Sequence, residues 1–171
     1  MTRKLIATKL INAVTDVTKI DQIETMILDI PTIRGHVLSM ATMRMQSAVL
    51  VRMTFSDGSE GLGEGTTIGG LSYGPESPES IQSAIETYIA PALLGRDADN
   101  VNSILQLMDK QVRGNRIAKA AVEIALWDGL GKRLGVPVSQ LFGGGVADKM
   151  PVAWTLASGH SETDIAEALD M

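Results

Sequence analysis

Between Ser47 and Glu64 the chain has few ways to fold. Val49, Val51, Met53 and Phe55 recur at every second position, which puts four apolar side chains on one face of a strand. Ser56-Asp57-Gly58 then supplies hairpin chemistry and leads into a second strand over Glu60 to Glu64. Upstream, the run from Ile23 to Ile30 reads as a strand that ends at Pro31, because proline cannot donate to a ladder. The three segments predict a three-stranded antiparallel meander. A polar, methionine-bearing loop with Arg34, Gly35, His36, Met40 and Met43 is expected from Pro31 to about Met45.

After the meander the apolar period changes to that of helices. Ser77-Pro78-Glu79 places a capping residue, a proline at the first helical position and an acid near the positive helix end. Ile81, Ile85, Tyr88 and Ile89 share one face, and Pro91 and Gly95 are expected to end or kink this helix. A second helix is expected from Asp99 or Asn100, with Val101, Ile104, Leu105, Met108 and Val112 at helical spacing. A third is expected to be capped by Asn115 and to run to about Leu134, stopping at Gly135 with Pro137 beyond. Its alanines permit close helix packing. Val138 to Phe142 reads as a short helical turn, and Gly143-Gly144-Gly145 marks a domain boundary. Beyond it, Pro151 to Ala157 reads as a strand and Ser161 to Asp164 opens a helix in capping-box style. One strand and one helix cannot bury a core, so this tail calls for a continuing sheet.

Six of the 17 glycines lie between Gly61 and Gly74. Such density allows positive φ and close approach to a ligand, which makes the stretch a candidate binding loop. A phosphate cradle fails at Leu71, which stands where the phosphate-contacting lysine belongs, and G-x-G-x-x-G fails at Thr66. Two readings stay open: a plain surface loop, or a site for a small ligand with apolar and polar parts, served by Ile68, Leu71, Thr66, Thr67, Ser72 and Tyr73.

Composition narrows the classes of function. Apolar residues at 44% and charged residues at 20% are globular values. A net charge of -5 without a basic stripe argues against nucleic-acid binding. Absence of cysteine excludes disulfides, thiolate metal sites and a cysteine nucleophile. No signal peptide is read, because Lys9 interrupts the apolar run after Arg3 and Lys4, and no run approaches the roughly 20 apolar residues of a membrane helix. A cytoplasmic location is the expectation.

Candidate chemistry is sparse. His160, Glu162 and Asp164 could bind a metal or form a solvated helix start; His36, beside Arg34, could face a ligand or solvent. No nucleophile elbow occurs. Asp128 reads as a structural acid paired with a nearby base, and Trp127 and Trp154 as packing residues with satisfied N–H groups.

Four stretches together resemble a known family. Ala125-Leu126-Trp127-Asp128 with Gly131-Lys132, Leu134 to Pro137 and Leu141 to Gly144 resembles the segment joining capping domain to barrel in the muconate-lactonizing and mandelate-racemase branch of the enolase superfamily. Asp29 to Arg34, Gly63 to Gly74 and Val152 to Gly159 are similar to the muconate cycloisomerases within it. The resemblance covers about residues 21 to 171. It implies an α+β fold, with the meander and helical bundle of an enolase-type capping domain over residues 21–145. It further implies an extension over 1–20 and the first βα unit of an incomplete TIM-like barrel over 146–171.

It also implies a metal-dependent cycloisomerase, using Mn2+ or Mg2+, that interconverts cis,cis-muconate and muconolactone in aromatic catabolism and is a homo-oligomer when complete. Chloromuconate cycloisomerase, another acid-converting member of the superfamily, and a noncatalytic binding or assembly module are the alternatives. In the family the base belongs to a Lys-x-Lys pair on the second barrel strand, followed by metal carboxylates. No Lys-x-Lys occurs here, so no catalytic residue and no metal ligand is expected in this chain, and the chain alone is expected to lack turnover. What the resemblance carries over are substrate-covering positions: Ile33 and His36 on the first loop, Ile68 and Tyr73 on the second, and Thr155 on the first barrel strand. Gly35 stands where relatives often have proline.

Overall fold

The computed structural model describes residues 17–38, 42–156 and 158–171, with the side chain of Arg34 left out. Most of the expected N-terminal extension, together with Met40 and Ala157, therefore lies outside the described residues. Ile20, expected in the extension, instead opens the first strand and is fully buried.

Strands β1 (Ile20–Val37), β2 (Thr42–Phe55) and β3 (Glu60–Thr66) form an antiparallel sheet in the order β1-β2-β3. Val49, Val51, Met53 and Phe55 are buried as their alternation requires. Asp57 makes the hairpin turn by accepting from the Ser59 amide at 2.9 Å and hydroxyl at 2.6 Å. The hydroxyl bond, ahead of any other influence, holds the Asp57 carboxyl below its ordinary range.

The loop expected from Pro31 to Met45 is largely strand. Pro31 pairs with Met45, the register slips, and pairing resumes at His36 with Met43. Proline is tolerated because β1 is an edge strand whose outer side has no ladder partner among the described strands.

Helix α1 (Pro78–Ala84) begins with a reciprocal cap between Ser77 and Ser80. It continues through a π-helical turn (Ile85–Ile89) into α2 (Ala90–Leu93). Pro91 lacks an N–H and crowds the carbonyl four residues back; the widened turn just before it lets the helix pass through. Asn100 caps α3 (Val101–Gln111) by accepting from Ser103 N–H at 3.1 Å. α4 (Arg116–Leu134) stops at Gly135 in left-handed backbone, as its sequence requires. The short turn α5 (Val138–Leu141) follows.

Asn115 does not cap α4 with its side chain. It sits in left-handed backbone at φ 47° and its amide donates to Arg113 O at 3.0 Å. The cap comes from Glu76, which accepts from Ile117 N–H at 3.0 Å and Ala118 N–H at 3.1 Å. Glu76 is 5% exposed, the one charged side chain among the described residues that is buried to this degree.

The core lies between the inner sheet face and the helices. It closes where α4 lies directly on β3. Gly61, Gly63 and Gly65 face α4, and a Cβ at Gly61 or Gly63 would overlap the Ala125 or Ala121 carbonyl oxygen. These three glycines are thus strand residues that admit a helix backbone, not loop residues. Asp128 on α4 accepts from Leu62 N–H at 2.7 Å and pairs with Lys132 at 2.6 Å, the structural pairing expected of it.

Residues 151–156, within the strand expected from Pro151 to Ala157, form no regular element. α6 (Ser161–Asp170) follows as expected, but His160 holds the cap position without a side-chain bond, and Asp164 reaches back to Ser158 N–H at 3.0 Å. No described helix is long and apolar enough to cross a membrane.

Candidate functional site

The slip in β1 has a consequence at the end of the sheet. Between Pro31 and His36 the strand leaves its pairing, and Ile33 stands fully exposed. Across from it, β3 ends at Thr66 and the remaining glycines of the Gly61–Gly74 stretch make a turn. Gly69 and Gly70 take φ of 65° and 56°, values glycine adopts without strain. A 3-10 turn (Gly70–Ser72) follows, closed by the Ser72 hydroxyl donating to Gly69 O at 2.5 Å. Ile68 enters this turn and Tyr73 leaves it, both exposed.

The two segments wall a cavity of about 610 Å³. Ile33 and His36 line it from the first, Ile68 and Tyr73 from the second, with Ile30, Met43 and Gln46 between them. The setting is mainly apolar, with an imidazole, a phenol and an amide around it, the mixture that suits a small molecule with an apolar body and polar ends. Thr32 also lines the cavity, and its buried hydroxyl has no hydrogen-bond partner among the described residues.

Four of the five positions singled out from sequence thus meet in one cavity. Thr155 is exposed and is not among the lining residues; its neighbour Trp154 is. Trp154, expected to pack, is 53% exposed. Its N–H is satisfied as expected, donating to Glu167 Oε1 at 2.9 Å, yet its ring completes the cavity wall. Trp127 matches its expected packing role, donating to Glu123 at 3.2 Å and lying 4.8 Å from the Phe142 ring. Gln46 carries no sequence signal, because it falls neither in a motif nor on the apolar period, while Thr32 lies in the Asp29 to Arg34 stretch without being marked within it.

The residues present do not fit the divalent metal that the resemblance implies. Among the described residues no three His, Asp or Glu side chains converge, and Asp164 of the His160–Asp164 candidate is engaged by Ser158.

Comparison with known proteins gives a consistent result. Muconate cycloisomerase 1 of Pseudomonas putida is 55% identical over 154 residues, covering 89% of this chain and 41% of that protein. Chloromuconate cycloisomerase of Cupriavidus pinatubonensis is 46% identical over 153 residues, covering 90% of this chain and 41% of that protein. The crystal structure of muconate lactonizing enzyme from Pseudomonas fluorescens complexed with muconolactone superposes with a TM-score of 0.89 at 55% identity, over 91% of this chain and 42% of that one. The chain therefore spans about two fifths of the length of these relatives. Residues 22–143, which hold the sheet, its helices and most of the cavity wall, match the family described as Mandelate racemase / muconate lactonizing enzyme, N-terminal domain, and the chain belongs to that family.

Proposed function

We propose that this chain is the substrate-covering N-terminal part of a muconate cycloisomerase, an enzyme of aromatic catabolism that interconverts cis,cis-muconate and muconolactone. The supporting observation is the cavity that gathers Ile33, His36, Ile68 and Tyr73. A muconate dianion has an apolar diene between two carboxylates. Ile33, Ile68 and the Trp154 ring would pack against the diene and keep water from it, while the His36 ring and Tyr73 hydroxyl offer hydrogen bonds at the polar ends. Thr155, beside Trp154, would meet the substrate from the barrel side.

The proton-transferring base and the carboxylates for Mn2+ or Mg2+ would be supplied by residues of the enzyme other than these. A cytoplasmic, homo-oligomeric enzyme acting on a small dicarboxylate completes the proposal. A chloromuconate-type enzyme is the second reading, supported by the 46% identity to such a relative.

In an intact enzyme carrying this segment, Tyr73→Ala is expected to raise KM for cis,cis-muconate about tenfold, the effect of one lost hydrogen bond and its apolar contact, with kcat within about threefold. Steady-state kinetics would read both constants. Unchanged KM for every acid tested would overturn the cavity as substrate site.

A further inference from the structure

The ladder between β2 and β3 stops at Ala48 with Thr66, and two residues further along the register Gln46 would stand opposite Ile68. In place of another ladder bond, the Gln46 side chain donates from Nε2 to Thr67 O at 2.9 Å. The same nitrogen lies 3.3 Å from Ser47 O. Both partners are carbonyl oxygens, which only the NH2 side of an amide can satisfy. The carbonyl it holds belongs to the residue immediately before Ile68, and Gln46 itself lines the cavity between the two segments. Beyond Thr67 the backbone passes through two successive left-handed glycines, so without an anchor at its start the turn has wide conformational freedom.

We infer that Gln46 is a positioning residue: its amide extends the sheet by one hydrogen bond and thereby fixes where the Thr67–Gly74 turn presents Ile68 and Tyr73. Its effect on substrate rests on the reading of the cavity given above, whereas its effect on the turn does not. It acts through the placement of Ile68.

The test pairs two variants that keep the length of the side chain, Gln46→Met and Gln46→Glu, neither of which can donate to the Thr67 carbonyl. Hydrogen exchange of the full chain reads the Ser72, Tyr73 and Gly74 amides, which bond back to Gly69 and Gly70, against the β2 amides from Val49 to Phe55. Expected is about three- to tenfold faster exchange in the turn, the size one hydrogen bond supplies, with β2 unchanged. In the intact enzyme the same variants are expected to raise KM for cis,cis-muconate about threefold or more with little change in kcat. Faster exchange without a change in KM supports Gln46 as the anchor and counts against the substrate reading of the cavity. Unchanged exchange in the turn for both variants, or equal acceleration throughout β2, would overturn the inference.

Discussion

Gly63→Ala is expected to destabilise the fold by about 3 kcal/mol, the upper range for forcing a methyl group into a packed interior. The new Cβ would overlap the Ala121 carbonyl oxygen and lie 2.8 Å from the Ala125 backbone nitrogen. Both are helix backbone atoms, so no rotamer change relieves them; α4 must lift from β3, and the alanines that pack behind it lose their contacts. The melting temperature should fall by roughly 6–12 °C for a chain of this size. Two other glycines set the scale. At Gly65 the added methyl meets Ile117 Cγ2 at 3.1 Å, which can rotate away, and Ala121 Cβ at 3.3 Å, which needs only a slight shift of α4, and about 1 kcal/mol is expected. At Gly74 nothing lies within 4 Å, and alanine should be nearly neutral. Thermal denaturation of the three variants should rank them in that order; equal melting temperatures would mean that β3 and α4 are not in backbone contact.

Loss of the Glu76 carboxylate is the second large effect. Its two oxygens hold the Ile117 and Ala118 amides at the positive end of a 19-residue helix, 41 and 42 residues away in the chain. Glu76→Ala strands one buried and one part-buried donor and is expected to cost about 3 kcal/mol, in the range for charge-assisted bonds and for an anion at a helix start. Glu76→Gln keeps one acceptor oxygen and should recover about half of that, while Asn115→Asp should recover none, because the backbone at Asn115 is left-handed and its side chain turns toward Arg113. Urea titration separates these cases through the midpoint at constant slope. A neutral Glu76→Ala would show that α4 starts without this cap.

The elements legible in the sequence are those governed by local period. Val49 to Phe55 announce their buried face, Asp57-Gly58 their turn, and Asn100 and Gly135 the ends of their helices. Where sequence and structure part, the cause is a contact distant in the chain. Density alone groups Gly61, Gly63 and Gly65 with Gly69 and Gly70, although Gly61 and Gly63 fall in the strand expected over Glu60 to Glu64. Yet their spacing of two matches the inward register of β3, where Gly61 pairs with Met53, Gly63 with Val51 and Gly65 with Val49. That period is the sign that they belong to a strand. Asn115 has the residue type of a cap, but its conformation gives the task to Glu76, and nothing local in sequence points across 41 residues. Pro31 reads as a strand end because a central strand could not hold it; an edge strand can. At the cavity, Ile33, His36, Ile68 and Tyr73 are marked by family resemblance rather than by spacing. Trp154 lies in a stretch that carries the resemblance but reads as a packing residue, and Gln46 joins them by tertiary placement alone.

The most direct test is substrate profiling of an intact enzyme that contains this segment, measuring kcat/KM for cis,cis-muconate, for chloromuconates and for unrelated carboxylic acids under the same metal supply. Conversion of cis,cis-muconate to muconolactone with the highest kcat/KM is the expected result, and exchange of Ile68 and Tyr73 should move that preference. Efficient turnover of another acid with no turnover of cis,cis-muconate would contradict it.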